Sequence, residues 1–339
     1  MAGWIPCLDL CVDGGPPRLG HRLLDAYLVF VAARARPNTV LATAYDLKVA
    51  FTVFGKGPVE VTTRDVLAFI QAQRAPRRGG NVVRLADAEA GLSARTVKRR
   101  LATLSGLFGF LVACGDVTAN PVPTGLLARR PGRPGVPLVR ASRTLPRILE
   151  PGEAGALLKA LRTMRDVAMV ELMLLGALRR CEVLGLRLGD LKPGEHRVFI
   201  AEGKGGHQRI VPVAPRFFTT VGAYLERERP SGADTDRVFV VLKGPRRGRP
   251  LSADGLDEIL DGARGRAGLA HATCHELRHT CLTRLREAGM ALEAVQAQAG
   301  HRSIETTRVY LHLANDWLVG EYRRAMDILD GLAGEAGVR

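Results

Sequence analysis

The sequence of 339 residues lacks long apolar runs and cysteine pairs at metal-binding spacing, and it has fewer acidic than basic residues. Glu171 interrupts the best apolar stretch, residues 167–178, so we expect no membrane-spanning helix. No basic-then-apolar leader opens the chain, and we expect no secretion signal. Cys7 and Cys11 are separated by three residues and no second pair follows at zinc-ligand spacing, so no zinc site is expected there. These absences favour a cytoplasmic, reducing location.

The charge balance is strongly basic. The sequence has 49 Lys and Arg against 34 Asp and Glu, which gives a net charge of +15. Neutralising phosphates releases counterions, so an excess of this kind favours a nucleic-acid partner, although solvated surface charge is the plainer alternative. With 46% hydrophobic residues the chain is typical of a folded protein, and its length predicts two domains.

The first domain, predicted over residues 16–128, is helical. Apolar residues recur at helical spacing in three segments: one around Leu23 to Val31, one that follows Pro37 and stops at Gly55, and one that starts near Thr62. Residues 76–92 show no clear period and predict a loop. Ser93 is expected to cap a further helix that ends near Gly115.

A basic, proline-rich linker is predicted over residues 129–148. Its prolines prevent a regular helix, and its basic residues are either solvated or in contact with a nucleic-acid backbone. The candidate contacts in it are Arg129, Arg130 and Arg133.

The second domain, predicted over residues 149–332, mixes helices with a small β-hairpin. Residues 152–187 are predicted to be helical, with a junction near Leu178, and residues 196–213 to form a hairpin whose turn is the glycine-rich segment 203–206. Further helices are expected at about 252–266, 274–288, 291–299 and 303–313, and an amphipathic helix at 314–332.

A His-x-x-Arg motif places His275 and Arg278 on one face of a predicted helix. This pair suits a phosphate ligand, because the histidine can transfer a proton and the arginine can bind the negatively charged oxygens. The same stretch also matches the zinc-protease pattern H-E-x-x-H, with Glu276 as general base and His279 as the second ligand. That alternative would need a third ligand and would place Arg278 unfavourably close to the metal.

Four further residues have side chains suited to catalysis or ligand binding, and each also has a plainer structural explanation. Arg179 lies at a helix junction, three residues before Glu182, where the pair is either a ligand site or a surface ion pair. Lys204 lies at the hairpin turn, as a presented cation or a solvated lysine. Tyr310 is placed on the second turn of a helix that Ser303 would cap, as a nucleophile or a core aromatic residue.

In combination and order, these motifs resemble the tyrosine recombinase, or phage integrase, family. The series is Arg-x-x-Glu at 179–182, a hairpin lysine at 204, His-x-x-Arg at 275–278, Gly-His at 300–301 and a closing tyrosine at 310. Eight residues separate His301 from Tyr310, as in that family. The resemblance covers roughly residues 16–330, whereas the metalloprotease alternative explains one motif only.

The resemblance implies a role for each matching residue. Arg179 and Arg278 correspond to the paired arginines that hold the scissile phosphate, and Glu182 to the acidic residue that supports them. Lys204 corresponds to the general acid for the leaving 5′ oxygen.

The remaining matches supply the histidines and the nucleophile that an active enzyme of this family requires. His275 and His301 correspond to the histidines that assist proton transfer and phosphate binding, and Tyr310 to the nucleophile that forms a 3′-phosphotyrosine. Because arginines and a lysine supply the positive charge, no metal ion and no cofactor are implied.

The family also implies a fold and partners. The fold class is mainly α with a small β-hairpin or sheet, arranged as a two-domain C-shaped clamp whose N-terminal helical core-binding domain grips double-stranded DNA. Arg95, Lys98 and Arg99 are candidate DNA contacts, the alternative being a charged outer helix face. Family members act as tetramers on DNA, so helix 314–332 is expected to dock either on a neighbouring protomer or on its own domain.

Two other classes of protein remain open, and so does the biological role. A DNA-binding accessory protein would keep the fold without the chemistry, and a type IB topoisomerase-like enzyme would relax DNA without exchange. Residues 311–316 resemble those of transposon-encoded members, which favours integration or excision of a mobile element. A phage integrase and a chromosome-dimer resolvase are the alternatives.

Overall fold

The chain divides into two compact units, Met1–Arg143 and Thr144–Arg339. The computed structural model describes residues 4–10, 15–75, 91–123, 138–139, 146–201, 208–301 and 304–307. Helices dominate both units, and the second unit also contains a small three-stranded sheet. The predicted fold class, mainly α with a small sheet, is confirmed.

The first unit contains four helices where the apolar periodicity predicts them. They are α1 (Arg22–Ala32), α2 (Pro37–Phe54), α3 (Thr63–Arg74) and α4 (Ala94–Cys114). Thr62 begins α3 with a capping box, in which Asp65 Oδ2 accepts from the Thr62 N–H at 2.7 Å. The Ser93 hydroxyl accepts from Thr96 N at the start of α4. Gly55 ends α2 in the left-handed conformation, φ 62°, that glycine adopts without strain.

One apolar core joins these four helices. Each helix contributes its buried stripe, and the largest side chains at the centre are Phe51, Phe69 and Phe108. One charged group lies among them: Asp46 of α2 is only 3% exposed, and its Oδ2 accepts from Arg99 Nη1 at 2.5 Å and Thr103 Oγ1 at 3.2 Å. The carboxylate therefore ties α2 to α4.

The second unit contains the remaining elements. The helices are α5 (Pro151–Ala160), α6 (Met164–Gly176), α7 (Arg180–Gly185), α8 (Pro215–Arg227), α9 (Ala253–Arg266), α10 (Cys274–Glu287), α11 (Leu292–Ala299) and the described part of α12 (Ile304–Thr307). The sequence predicts a break near Leu178 but not the one at residues 161–163, and it leaves α8 unassigned. Yet Phe217, Val221 and Tyr224 of α8 are buried at helical spacing, which is the signal for that helix.

Helix α6 is the centre of this unit. Its residues from Ala168 to Leu174 are buried on every face, and it packs against α8 and α10. A helix enclosed in this way, apolar in this stretch except for Glu171, is typical of a core element. Its end therefore has a fixed position, which determines where the chain that follows it emerges.

The sheet has the order β1-β2-β3 and is antiparallel throughout. Strands β2 (Arg197–Ile200) and β3 (Arg209–Pro212) are the two predicted arms, with Val198 opposite Val211 and Ile200 opposite Arg209. Strand β1 (Leu191–Lys192) adds a short edge that the sequence does not predict. The predicted turn 203–206 lies outside the described residues.

The predicted boundaries of the domains and of the linker 129–148 stay predictions, because most of that linker lies outside the described residues. The predicted helix 314–332 lies outside them as well. Within the described ranges, no helix is both long and apolar enough to cross a membrane.

Replacing Asp46 with alanine is expected to destabilise the first unit. The change removes a buried carboxylate that accepts charged hydrogen bonds, a loss of about 1–3 kcal/mol in the free energy of unfolding. Chemical denaturation of the full chain measures it. The matched control is Arg95→Ala on the exposed face of α4, where we expect a change within about 0.5 kcal/mol. Equal effects of the two substitutions would contradict a structural role for Asp46.

Candidate functional site

A cleft of about 850 Å³ opens in the second unit. Its walls come from the start of α7, from α9, from the first two turns of α10 and from the segment that links α11 to α12. Four of the predicted catalytic residues line it: Arg179, His275, Arg278 and His301.

The turn that leaves α6 directs Arg179 toward the cleft. Ala177 adopts a left-handed backbone, φ 55°, which strains a residue with a side chain. Gly176 cannot be enlarged without collision, because a Cβ there would lie 2.8 Å from Leu178 Cδ1. Arg278 Nη1 donates to the Ala177 carbonyl and so holds this turn. Arg179 then becomes the N-cap of α7.

A buried carboxylate, Glu182, fixes two arginines at once. Its Oε1 accepts from Arg179 Nη1 at 2.8 Å and from Arg209 Nη1 at 2.8 Å. Its Oε2 accepts from Arg209 Nη2 at 2.9 Å and from the Arg179 N–H at 2.8 Å. Burial alone would raise the pKa of Glu182, but the hydrogen bonds and charge of Arg209, together with Arg179, lower that pKa to about 2.

Arg278 is 3% exposed and donates to backbone carbonyls on two sides of the site. One partner is the Ala177 carbonyl at the end of α6, and the other is the Ala299 carbonyl at the end of α11, 2.7 Å from Nη2. Arg179 Nη2 reaches the same segment through the Gly300 carbonyl at 3.2 Å. The two guanidinium groups therefore hold the segment that carries His301.

His301 is neutral at pH 7. Burial, followed by the charges of Arg278 and Arg179, lowers its pKa to about 4. Arg278 Nη2 lies 3.2 Å from His301 Nε2, and an arginine only donates, so Nε2 accepts. The proton then lies on Nδ1, which donates to Thr307 Oγ1 at 3.0 Å.

A histidine pair lies one turn apart on α10. His275 Nε2 and His279 Nε2 are 2.8 Å apart, so one of them donates to the other. Burial, followed by the charges of His275 and Arg278, lowers the pKa of His279 to about 4. His279 is therefore a neutral partner that fixes the orientation of the His275 ring.

Glu276 has a structural role that weighs against the metal-site alternative. Its Oε2 accepts from the Thr273 N–H at 2.9 Å and from Thr273 Oγ1 at 3.1 Å, which forms a capping box at the start of α10. Its Oε1 lies 3.5 Å from His271 Nδ1. The carboxylate that would act as general base in H-E-x-x-H is thus engaged in holding the helix terminus.

The other candidate residues fall into two groups. The first group lies outside the described residues and consists of Lys204, Tyr310, Arg129, Arg130 and Arg133. Arg95 and Lys98 are exposed on α4, in agreement with an outer helix face, whereas Arg99 is bound to Asp46.

Arg209 is the residue that the sequence analysis misses. It lies on β3, packs its guanidinium group against Gly300, and binds Glu182 with two parallel hydrogen bonds. A Cβ at Gly300 would lie 3.0 Å from Arg209 Cζ, so glycine at position 300 allows this approach. The only sequence signal for Arg209 is its position on a hairpin arm beside the predicted turn at Lys204. That position does not predict Glu182 as its partner.

Comparisons with known proteins agree on one family. Residues 147–316 match the family model described as the phage integrase family. The chain is 31% identical over 312 residues to the tyrosine recombinase XerC of Xylella fastidiosa (strain 9a5c), which covers 90% of this chain and 96% of that protein.

Solved structures show the same fold. A lambda integrase dimer (residues 75–356) bound to a COC′ core site superposes with a TM-score of 0.62 at 19% identity, over 86% of this chain and 94% of that one. The Tn1549 transposon integrase in complex with circular intermediate DNA gives a TM-score of 0.62 at 18% identity, over 85% and 94% of the two chains.

Stability is expected to depend on pH through Glu182. A carboxylate whose pKa falls from 4.5 to about 2 on folding stabilises the folded state above pH 4.5 and loses that effect as the pH falls toward 2. The stability difference between the wild type and Glu182→Gln should therefore narrow by about 2 kcal/mol between pH 6 and pH 3. Urea denaturation at several pH values measures this difference.

The matched control is Glu195→Gln, which removes an exposed carboxylate on the surface of the same unit. We expect it to differ from the wild type by no more than about 0.5 kcal/mol. A constant difference between the wild type and Glu182→Gln across the pH range would contradict a charged Glu182 in the folded state.

Proposed function

Since the chain belongs to the phage integrase family, the tyrosine recombinases, we propose that it cleaves and rejoins DNA at a defined site through a covalent bond between Tyr310 and a 3′ phosphate. As a member of this family it is a DNA breaking-rejoining enzyme. The observation that supports the site assignment is the convergence of Arg179, Arg278 and His301 on one cleft. Their anchoring contacts are with other parts of the same unit, so the cleft is organised before any substrate binds.

The two arginines suit the charge that develops in phosphoryl transfer. Negative charge gathers on the non-bridging oxygens of the phosphate, and preorganised donors in a site with little water stabilise it most. Arg278 is nearly completely buried and Arg179 half-buried, so neither is fully screened by solvent. A planar guanidinium group also matches a phosphate in two-point geometry.

We assign the steps to residues as the family pattern does. The Tyr310 hydroxyl oxygen attacks phosphorus, its proton passes to His275, and the bond between phosphorus and the 5′ oxygen breaks. Lys204 gives its proton to that departing oxygen. Rejoining is the reverse: a 5′ hydroxyl attacks the phosphotyrosine, so the bond energy is conserved and no ATP is required.

His275 is assigned the proton because it is the histidine of the His-x-x-Arg motif and lines the cleft together with Arg278. Both ring nitrogens of His301 are engaged in this structure, Nε2 with Arg278 and Nδ1 with Thr307, so we assign this histidine a positioning role beside the phosphate. His275 is instead oriented by the neutral His279. Such a general base must lie within hydrogen-bond reach of the hydroxyl in the complex with DNA.

Double-stranded DNA is the proposed partner. The net charge of +15 supplies the long-range attraction. In the first unit the exposed Arg95 and Lys98 are the better candidates for backbone contacts, since Arg99 is bound to Asp46. We further propose a clamp of the two domains around the duplex, assembly to a tetramer on DNA through helix 314–332, and action in the cytoplasm.

The proposed biological role is integration or excision of a mobile element. The segment 311–316 and the likeness to the Tn1549 transposon integrase support it. The similarity to XerC over 90% of the chain favours a second candidate, a recombinase that acts at a chromosomal site. The position of the cleaved site, at the ends of an element or elsewhere in the chromosome, separates the two.

Covalent trapping tests the proposed chemistry. The protein is incubated with fragmented DNA of its source genome and denatured with detergent, and the 3′ ends that stay linked to it are sequenced. We expect linked ends at one short sequence for the wild type and none for Tyr310→Phe. Linked ends at scattered positions would favour a topoisomerase, and tight binding without linked DNA an accessory protein.

A second variant tests the arginine clamp. Arg179→Lys keeps a positive charge but loses the planar donor set, so the rate of covalent linkage is expected to fall by about 10²–10³. The control is Arg187→Lys, an exposed arginine paired with Asp236, which should keep the wild-type rate. A wild-type rate for Arg179→Lys would contradict the assigned role.

A further inference from the structure

A group of exposed arginines lies outside the cleft, in the loop that precedes α9. We define the basic loop as residues 243–249; it contains Lys243, Arg246, Arg247 and Arg249. All four side chains are exposed. Over the described part of the chain, none of the four takes part in an ion pair or a side-chain hydrogen bond.

The backbone of the basic loop is firmly held. Gly248 N donates to the Val241 carbonyl at 2.8 Å, and Val241 N donates to the Arg249 carbonyl at 2.9 Å, which closes the base of the loop. Arg247 N donates to the Gly244 carbonyl at 3.0 Å within it. The positively charged groups therefore project from a fixed frame, so that little backbone entropy is lost when they bind a ligand.

Glycine is required at one position of this frame. Gly248 has a φ of 82°, and a Cβ there would lie 3.4 Å from the Cα of Ala233. The loop thus packs directly on the backbone of a neighbouring segment. The acidic residues nearest in sequence to these packed segments are Asp234, Asp236 and Asp254, and Asp236 is paired with Arg187, so the four positive charges of the loop exceed the negative ones.

We propose that the basic loop is a binding site for the phosphate backbone of duplex DNA, separate from the catalytic cleft. The inference rests on the proposed function, because it takes DNA as the substrate. Arginine is well suited to phosphate oxygens, and contacts of this kind position a protein on DNA without reading its sequence. The loop accordingly adds affinity and fixes the position of the duplex, and it takes no part in bond breaking.

Its distance from the cleft fits one continuous duplex. The loop leads through Ser252, the N-cap, into α9, whose Asp257 lines the cleft. Asp257 follows Arg249 by eight positions in the chain, which limits the distance between their Cα atoms to about 28 Å. At 3.4 Å for each base pair, this upper limit corresponds to about eight base pairs, so a duplex that passes the cleft wall at Asp257 is long enough to reach the loop as well.

The salt dependence of DNA binding tests this site. The variant Arg246→Gln, Arg247→Gln, Arg249→Gln is compared with a control that loses the same charge from exposed positions of the same unit, Lys159→Gln, Arg162→Gln, Arg227→Gln. The probe is a random-sequence duplex of about 30 base pairs, long enough to extend beyond the loop. Thermal melting checks that both variants fold, which is expected because all six side chains are exposed.

Each phosphate contact contributes roughly 0.9 to the slope of log affinity against log salt. We therefore expect the slope of the loop variant to decrease by about 2–3 and its affinity to fall by roughly tenfold or more, with the control close to the wild type. Equal slopes for the loop variant and the control would overturn the loop site while leaving the proposed function intact. A wild type that binds the duplex without salt dependence would overturn both.

Discussion

The buried carboxylate of Glu182 is the interaction on which the site depends. A charge enclosed by protein is stable only when its lone pairs are occupied, and this one is satisfied by Arg179, Arg209 and a backbone N–H. The group thereby joins the end of α6, the hairpin strand β3 and the segment at Gly300. Loss of the carboxylate would leave two arginines facing each other with no negative charge between them.

Much of the fold follows from the sequence because its signals are local. Apolar spacing and caps such as Thr62, Ser93 and Gly55 determine where helices of the first unit begin and end, and the structure confirms those positions. Helix α8 has the same kind of signal in the spacing of Phe217, Val221 and Tyr224, whereas strand β1 is less accessible to sequence reasoning. A two-residue strand forms only because β2 is beside it, and no periodicity exists over so short a segment.

The site is less predictable, since its contacts join residues far apart in the chain. Motif order predicts Arg179, Glu182, Arg278 and His301 as site residues, and the four lie together at the cleft or beside it. Arg209 is different, because its importance comes from a partner 27 residues away that only the folded hairpin brings near. Lone arginines on strands are common, and no spacing rule separates this one from the others.

The arrangement also explains why arginine, rather than lysine, suits both positions of the proposed phosphate site. A guanidinium group has five N–H donors in one plane, so it can hold the protein with some and a phosphate with others. Arg179 gives Nη1 to Glu182 and Nη2 to the Gly300 carbonyl, which leaves further N–H groups for a ligand in the cleft. A lysine ammonium group concentrates its donors on one atom at the end of a flexible chain, and using them to hold the segment at His301 would draw its charge away from the phosphate that we propose as the ligand. The same residue can therefore organise the site and stabilise its substrate only if its donors are spread over a rigid plane.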